Sequence, residues 1–539
     1  MPDAPPRRPG RAGTVDRREF LRAAGLVAGA AAVGGGAIAA CGSGKAPVPS
    51  FTSVLEGHPA DSGIDTVVVV CMENRSFDHY LGWLARDEEY LDAGRERYGS
   101  GFRVAGRQHL RYPAPNGHVV PTAPLVGNAL EADPYRGCGH PIPGHGWNSG
   151  RAQRDRGFVG RDTGNDEYAL GYYRGDEVPF YRDLARRFTV ADRWHAALLA
   201  GTFPNRQYLH SASSEGRKED PIPLRVGIYR NATIWDRLQQ ANVSAGYYYV
   251  DLPILTLWGE RMYDRIHPVD AYFEAASTGT LPQFVMVDPG FRGPQRSDDH
   301  TYADIRTGQR FVREIFAAFA QSKQWERGAF VLLYDEWGGF FDHMPPPVVP
   351  DARRSPIDED NFGQTGFRVP AIVASPRSRR GFVDHTLYTH TSVMRFLEWR
   401  FLGAPPQGPG PGRGRWWLTT RDRYSHNLGR ALGQDDADPE LHFDLARDLA
   451  GSGPACLTPG VAPPGSALGA SGEWAADQEL EALTVNRFPD AQAKPWILPP
   501  VPPPAPTTTS SPPAPAPPAP TTTSSAPPTP TTAGPPVAG

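Results

Sequence analysis

The sequence predicts an α/β fold built on a mostly parallel sheet with both faces covered. Two short apolar runs predict it, Asp65-Thr66-Val67-Val68-Val69-Val70-Cys71-Met72 and Phe330-Val331-Leu332-Leu333-Tyr334. Both are β-branched or aliphatic and too short for typical helices, so they read as strands. Neither alternates with polar residues, and an uninterrupted apolar strand suits a parallel sheet buried on both sides. The third observation is where the runs stop. The first breaks into Glu73-Asn74-Arg75-Ser76-Phe77-Asp78, the second into Asp335-Glu336-Trp337-Gly338-Gly339 and then Asp342-His343. Such sheets bind ligands beyond the carboxyl ends of their strands.

The chain of 539 residues opens on a targeting segment, residues 1–41. Arg17-Arg18, with Phe20-Leu21 just behind, reads as a twin-arginine signal. Ala23 to Ala40 is too rich in Ala and Gly to make a good membrane span. Ile38-Ala39-Ala40-Cys41 reads as a lipobox, so Cys41 is expected to carry lipid; the other reading is a plain cleaved signal with an incidental Cys. The expectation is twin-arginine export of a folded protein, then lipid anchoring to the membrane or association with the wall. Residues 51–490 show no internal repeat or break in composition and are expected to form one domain. Residues 498–539 are nearly all Pro, Thr, Ala and Ser and are expected to stay extended and disordered. Four cysteines are too few for a disulfide scaffold. Cys71 reads as a small apolar residue, and whether Cys138 and Cys456 pair is left open. The net charge of −4, without a basic arm, argues against a nucleic-acid partner.

Between the two strands lie further polar motifs. His145, in Gly144-His145-Gly146-Trp147, falls on a loop. Thr202, in Gly201-Thr202-Phe203-Pro204-Asn205-Arg206, stands at a bend before a helix, where a hydroxyl is either an N-cap or a nucleophile beside anion-favouring amides. Asp298-Asp299-His300 precedes a helix over Gly308 to Ser322, and its acids can cap that helix or orient the imidazole. Val369 to Ser375 reads as another strand and Thr391 to Phe401 as an amphipathic helix behind His390. Tyr247-Tyr248-Tyr249 and Trp258 could build an aromatic cage, but core packing is the better account. Each strand-end acid also has a plain reading as a helix cap. Finding the pattern twice favours a divalent-cation site instead.

Taken in order, Glu73 to Asp78, His145-Gly146-Trp147, Gly201 to Arg206, Asp298-Asp299-His300 and Tyr334 to Phe340 resemble the motifs of the bacterial phosphoesterase family of phosphatidylcholine-type phospholipases C and acid phosphatases. The likeness is greatest to its actinobacterial phospholipase C branch, and it spans roughly residues 65–428. The resemblance implies a three-layer α/β/α sandwich similar to alkaline phosphatase. It implies a divalent metal ion (Mn, Mg, Ca or Zn) on Glu73, Asn74, Asp335 and Glu336, with Thr202 as nucleophile and His145 and His300 about the transferred phosphate. The substrate it implies is a phospholipid cleaved to diacylglycerol and a phosphorylated head group, or a broader range of phosphate esters on the same site. A surface-anchored binding protein with an inactive fold is the reading from another class. Thr301 and Thr389 stand where the family commonly has Pro and Asp, which leaves His390 without an assigned role.

Overall fold

The computed structural model describes residues 51–456, except 129–130, 132, 220–225, 409–415, 435–436, 447–448, 450 and 452. The expected targeting segment, Cys41, residues 457–490 and the Pro/Thr-rich tail lie outside the described residues.

Among the described residues, eight strands form the main sheet. Numbered along the chain they are β1 (Thr66–Met72), β2 (Thr189–Ala191), β3 (Ala245–Tyr249), β4 (Ile266–Pro268), β5 (Phe284–Asp288), β6 (Gly328–Tyr334), β7 (Ala371–Ala374) and β8 (Val383–Asp384). Their spatial order is β8-β2-β7-β6-β1-β5-β3-β4. Every neighbouring pair is parallel except those made by β7, which runs against β6 and β2. The predicted strand at Val369 to Ser375 is thus real but reversed and shorter. Pro370 has no N–H to give to a ladder, so pairing starts after it.

The register of β1 on β6 decides the rest. Thr66 pairs with Gly328 and Met72 with Tyr334, residue for residue. Both strands are buried throughout and end level, so Glu73-Asn74 and Asp335-Glu336 leave the sheet side by side. On the other flank Val70 pairs with Val287, which brings Asp288 at the end of β5 to the same edge.

Helices cover both faces, giving the expected α/β/α layering. On one side α1 (Thr202–Ser211) and α3 (Thr391–Leu402) pack together with the helix Ile234–Gln240. There Trp235 meets Phe284 of β5. On the other side α2 (Ile305–Ala320) packs with the helices Pro179–Arg187 and Val269–Thr278, and its Phe316 meets Phe330 of β6. Helix α2 starts earlier than its apolar spacing suggested. Its cap is Asp304, whose carboxylate accepts from the Arg306 N–H, so neither Asp298 nor Asp299 caps it. The Tyr247 to Tyr249 run and Trp258 are buried core, as packing favoured.

Candidate active site

The site grows from the two level strand ends. Past β1 the chain turns sharply, with Asn74 in the left-handed region at φ 62°, a conformation Asn tolerates better than most residues. The turn past β6 lies against it. A Cβ on Gly338 would sit 2.0 Å from the Asn74 carbonyl oxygen, and Gly338 itself has φ 64°, so only glycine lets the two turns touch. The Asn74 N–H donates to Asp335 Oδ1 at 3.3 Å. None of the four predicted ligands caps a helix. Ser76 caps the short helix after β1, and the Asp335 and Glu336 carboxylates accept from the backbone N–H groups of Glu336 and Gly338.

Thr202 is the first residue of α1, and the cap position is Gly201, which supplies no side-chain bond. The Thr202 hydroxyl instead donates to Asn74 Oδ1 at 3.4 Å. It is half-buried and so within reach of a substrate. The bend before it is held by Asn205, whose amide donates to the carbonyls of Leu198, Ala200 and Gly201 and accepts from the Leu198 N–H.

One turn along α1, Arg206 is buried among the strand-end carboxylates. It donates to Asp335 Oδ2 at 3.0 Å, to Asp288 Oδ1 at 3.0 Å and to the Cys71 carbonyl at 3.2 Å. Its Nη2 also lies 3.6 Å from Glu73 Oε1. Burial pushes the Glu73 carboxyl well up, and the Asp335 charge pushes it further. Burial likewise raises Asp335 and Asp288, with Arg206 pulling both back. Tyr247 donates its hydroxyl to Asp288. His390 donates from Nε2 to the Asp335 carbonyl at 2.6 Å and accepts at Nδ1 from Trp194. Burial lowers it to about 4, so it is a neutral prop for the Asp335 turn.

His145 and His300 face each other edge to face, ring centroids 5.9 Å apart. Each commits Nδ1 to a carbonyl, that of Pro143 at 2.7 Å and of Thr301 at 2.9 Å. With Nδ1 engaged, each ring turns its Nε2 away from that carbonyl. His145 Nε2 lies 4.0 Å from Glu336 Oε1. Asp298 accepts the backbone N–H of His300 at 3.1 Å, while the imidazole Nδ1 is held by the Thr301 carbonyl rather than by either acid of that motif.

All seven predicted site residues thus lie around the same strand ends, but the carboxylates of Glu73, Asp335 and Glu336 do not converge on a point. Among the described residues, the compact donor groups are Asp133/Cys138/Cys456 and Asp78/Asp342/His343. The latter is an ion-pair knot, not a vacant cage. The Arg368 guanidinium donates to both carboxylates at 2.9–3.0 Å, and His343 binds Asp78 at 2.6 Å. Asp342-His343, flagged by the sequence, therefore locks the two turns together. The strand-end set does fit a cation by charge. Glu73, Asp288 and Asp335 surround the buried Arg206 guanidinium, and Glu336, next to Asp335, is a fourth buried carboxylate. A divalent ion would offset that surplus, and all-oxygen donors suit a hard one.

Sequence reasoning gave no role to Arg206, Asn205, Asp288 or His390. Arg206 was within reach. It follows Thr202 by four positions on a helix, hence on one face, and a cation there needs acids beside it.

The signature of the phosphoesterase family matches residues 64–402. The chain belongs to that family and is a hydrolase acting on phosphoric ester bonds. Non-specific phospholipase C6 of Arabidopsis thaliana is 30% identical over 383 residues, 64% of this chain and 70% of that protein. Phospholipase C B of Mycobacterium tuberculosis is 28% identical over 446 residues, 72% of this chain and 81% of that one. A solved protein of the alkaline phosphatase superfamily from Vibrio parahaemolyticus superposes with a TM-score of 0.28 at 11% identity, covering 49% of this chain and 68% of that chain.

Proposed function

We propose that this protein is a metal-dependent phospholipase C that cleaves phosphatidylcholine-like lipids through Thr202. The observation that carries the reading is the setting of the Thr202 hydroxyl. It stands at a helix start without capping it and is bonded to Asn74, beside the buried carboxylates and the histidine pair. Non-specific and non-haemolytic phospholipases C among the relatives support the substrate class.

In this reading Thr202 Oγ attacks phosphorus and the diacylglycerol oxygen leaves. The first amides of α1 favour the anionic phosphoryl group. His145 or His300 gives the departing oxygen its proton from Nε2, and water then releases the phosphorylated head group. Glu73, Asn74, Asp335 and Glu336 would hold the cation, whose Lewis acidity favours an ionised hydroxyl and offsets charge on the phosphoryl oxygens. Export and anchoring through Cys41 belong to the same proposal. A Cys138–Cys456 disulfide supports it, since such bonds persist in oxidising compartments.

The test is hydrolysis of phosphatidylcholine vesicles and of a soluble phosphomonoester by the leaderless protein, with and without chelator. Diacylglycerol release that stops on chelation is expected. Cleavage of the monoester alone would replace this reading with that of a phosphatase.

A further inference from the structure

His300 sits on a strained segment. Asp299 and Tyr302, on either side of it, have φ of 73° and 82°. Residues with a Cβ stay in that region only when their surroundings over-determine them. Asp299 is held from the core, its Oδ2 accepting from Tyr80 at 3.0 Å and Tyr334 at 2.6 Å. Tyr302 is held from outside. Its N–H donates to the Arg136 carbonyl at 2.8 Å, its carbonyl accepts from the Cys456 N–H at 3.0 Å, and its hydroxyl donates to the His140 carbonyl at 2.7 Å.

Cys138 is two residues past Arg136 and is bonded to Cys456, so the disulfide closes a bracket around the Tyr302 peptide groups. The Cys456 arm is an irregular strap, residues 453–456, laid over this loop. Gly453 N–H donates to Asp304 Oδ2 at 2.7 Å, Arg136 Nη1 to the Pro454 carbonyl at 2.7 Å, and Ala455 N–H to the Pro294 carbonyl at 2.8 Å. These residues form neither helix nor strand, so their hold on the loop comes from such single bonds and from the disulfide. It also lies beyond the stretch matched by the family signature, 64–402.

We infer that the Cys138–Cys456 disulfide positions His300 for catalysis, and that the oxidised strap is required for full turnover. The inference rests on the proposed role of His300. Opening the bond with a dithiol moves two electrons and two protons onto the cysteine sulfurs and leaves the dithiol as its cyclic disulfide. The strap then lifts, Tyr302 relaxes, and the imidazole loses its place. A misplacement of about 1 Å is enough to cost about 100-fold in rate.

The experiment compares the full chain with Cys138→Ser/Cys456→Ser, His300→Ala and the combined variant, on a soluble chromogenic phosphodiester. The serine pair should lose about 10- to 100-fold in kcat with KM changed less than about twofold. In the His300→Ala background the same pair should change kcat by less than about twofold, because residues acting through one group are not additive. Unchanged kcat in the serine pair, or an equal loss in both backgrounds, overturns the inference. Should the serine pair fold poorly, dithiol titration of the folded wild type opens the same bond. Amide exchange over residues 298–304 is read without substrate. Faster exchange on opening is expected, and unchanged exchange overturns the inference even if the wild type cleaves no phosphodiester, a result that would count against the proposed function instead.

Discussion

Thr202 is the residue on which the chemistry turns, and its two possible roles differ in magnitude. Loss of a cap costs about 1 kcal/mol of stability and leaves turnover alone. Loss of a nucleophile removes several orders of magnitude in turnover with little change in melting temperature. Gly201 holds the cap position, so Thr202→Val should melt like the wild type and turn over almost no substrate. Thr202→Ser keeps an attacking hydroxyl and should retain substantial activity. A valine variant that works but melts early would return Thr202 to a structural role. Asp299 is a second residue with a measurable signature. Burial lifts its carboxyl to about 7, against the pull of Tyr334 and Arg75. The folded state therefore holds a proton that the unfolded chain has already released above about pH 4. Stability must fall as pH rises from there toward about 7, at no more than about 1.4 kcal/mol per pH unit. Asp299→Asn keeps an oxygen for the two tyrosines and cannot ionise. Its melting temperature relative to wild type should improve between about pH 5 and 7 and level off above that, and a constant difference would mean Asp299 does not titrate there.

At the scale of elements, the site depends on two turns pressed together. Gly338→Ala puts a methyl group 2.0 Å from the Asn74 carbonyl oxygen at a position with φ 64°. It should cost about 1–3 kcal/mol by backbone strain and move Asn74 away from the Thr202 hydroxyl, so kcat should drop more than stability does. Wild-type kcat in a folded Gly338→Ala protein would show that the turns need not touch. The two strands behind these turns were legible because hydrophobic runs report burial directly, and their acids stood out against that background. The partners were not legible. Arg206 meets Asp288 and Asp335 only through the β5-β1-β6 register, and no local pattern encodes which strands neighbour each other. The reversal of β7 is hidden for the same reason. His390 props a carbonyl, a contact without any sequence mark. The Arg368 that bonds Asp342 and Asp78 was hidden too, since it lies far along the chain from Asp78.

For the whole molecule, the first consequence concerns where it resides. A Cys41→Ser variant should move from the membrane fraction to the medium if the lipobox reading holds, because two or three acyl chains retain a protein that one holds only weakly. Unchanged partitioning would reject the anchor while leaving the enzyme reading intact. The second consequence joins the site to the fold. The buried carboxylates of Glu73, Asp288, Asp335 and Glu336 outnumber the guanidinium of Arg206 that lies among them, and leave the sheet edge rich in negative charge. Taking such groups out of water is costly unless they protonate or find a cation. A divalent ion that binds only the folded state must then stabilise the whole domain by mass action, by about 2.7 kcal/mol at a free concentration 100 times its dissociation constant. Melting temperature should rise with added Mn, Mg, Ca or Zn and fall on exhaustive chelation, and Asp335→Ala should abolish the response. Protons compete for the same carboxylates, so the cation's effect should weaken as pH falls, and burial with the Asp335 charge raises the Glu73 carboxyl in particular. A melting temperature indifferent to chelation at every pH would remove the metal from the proposal. The surplus charge would then be neutralised by protons instead, and Thr202 would need another source of activation.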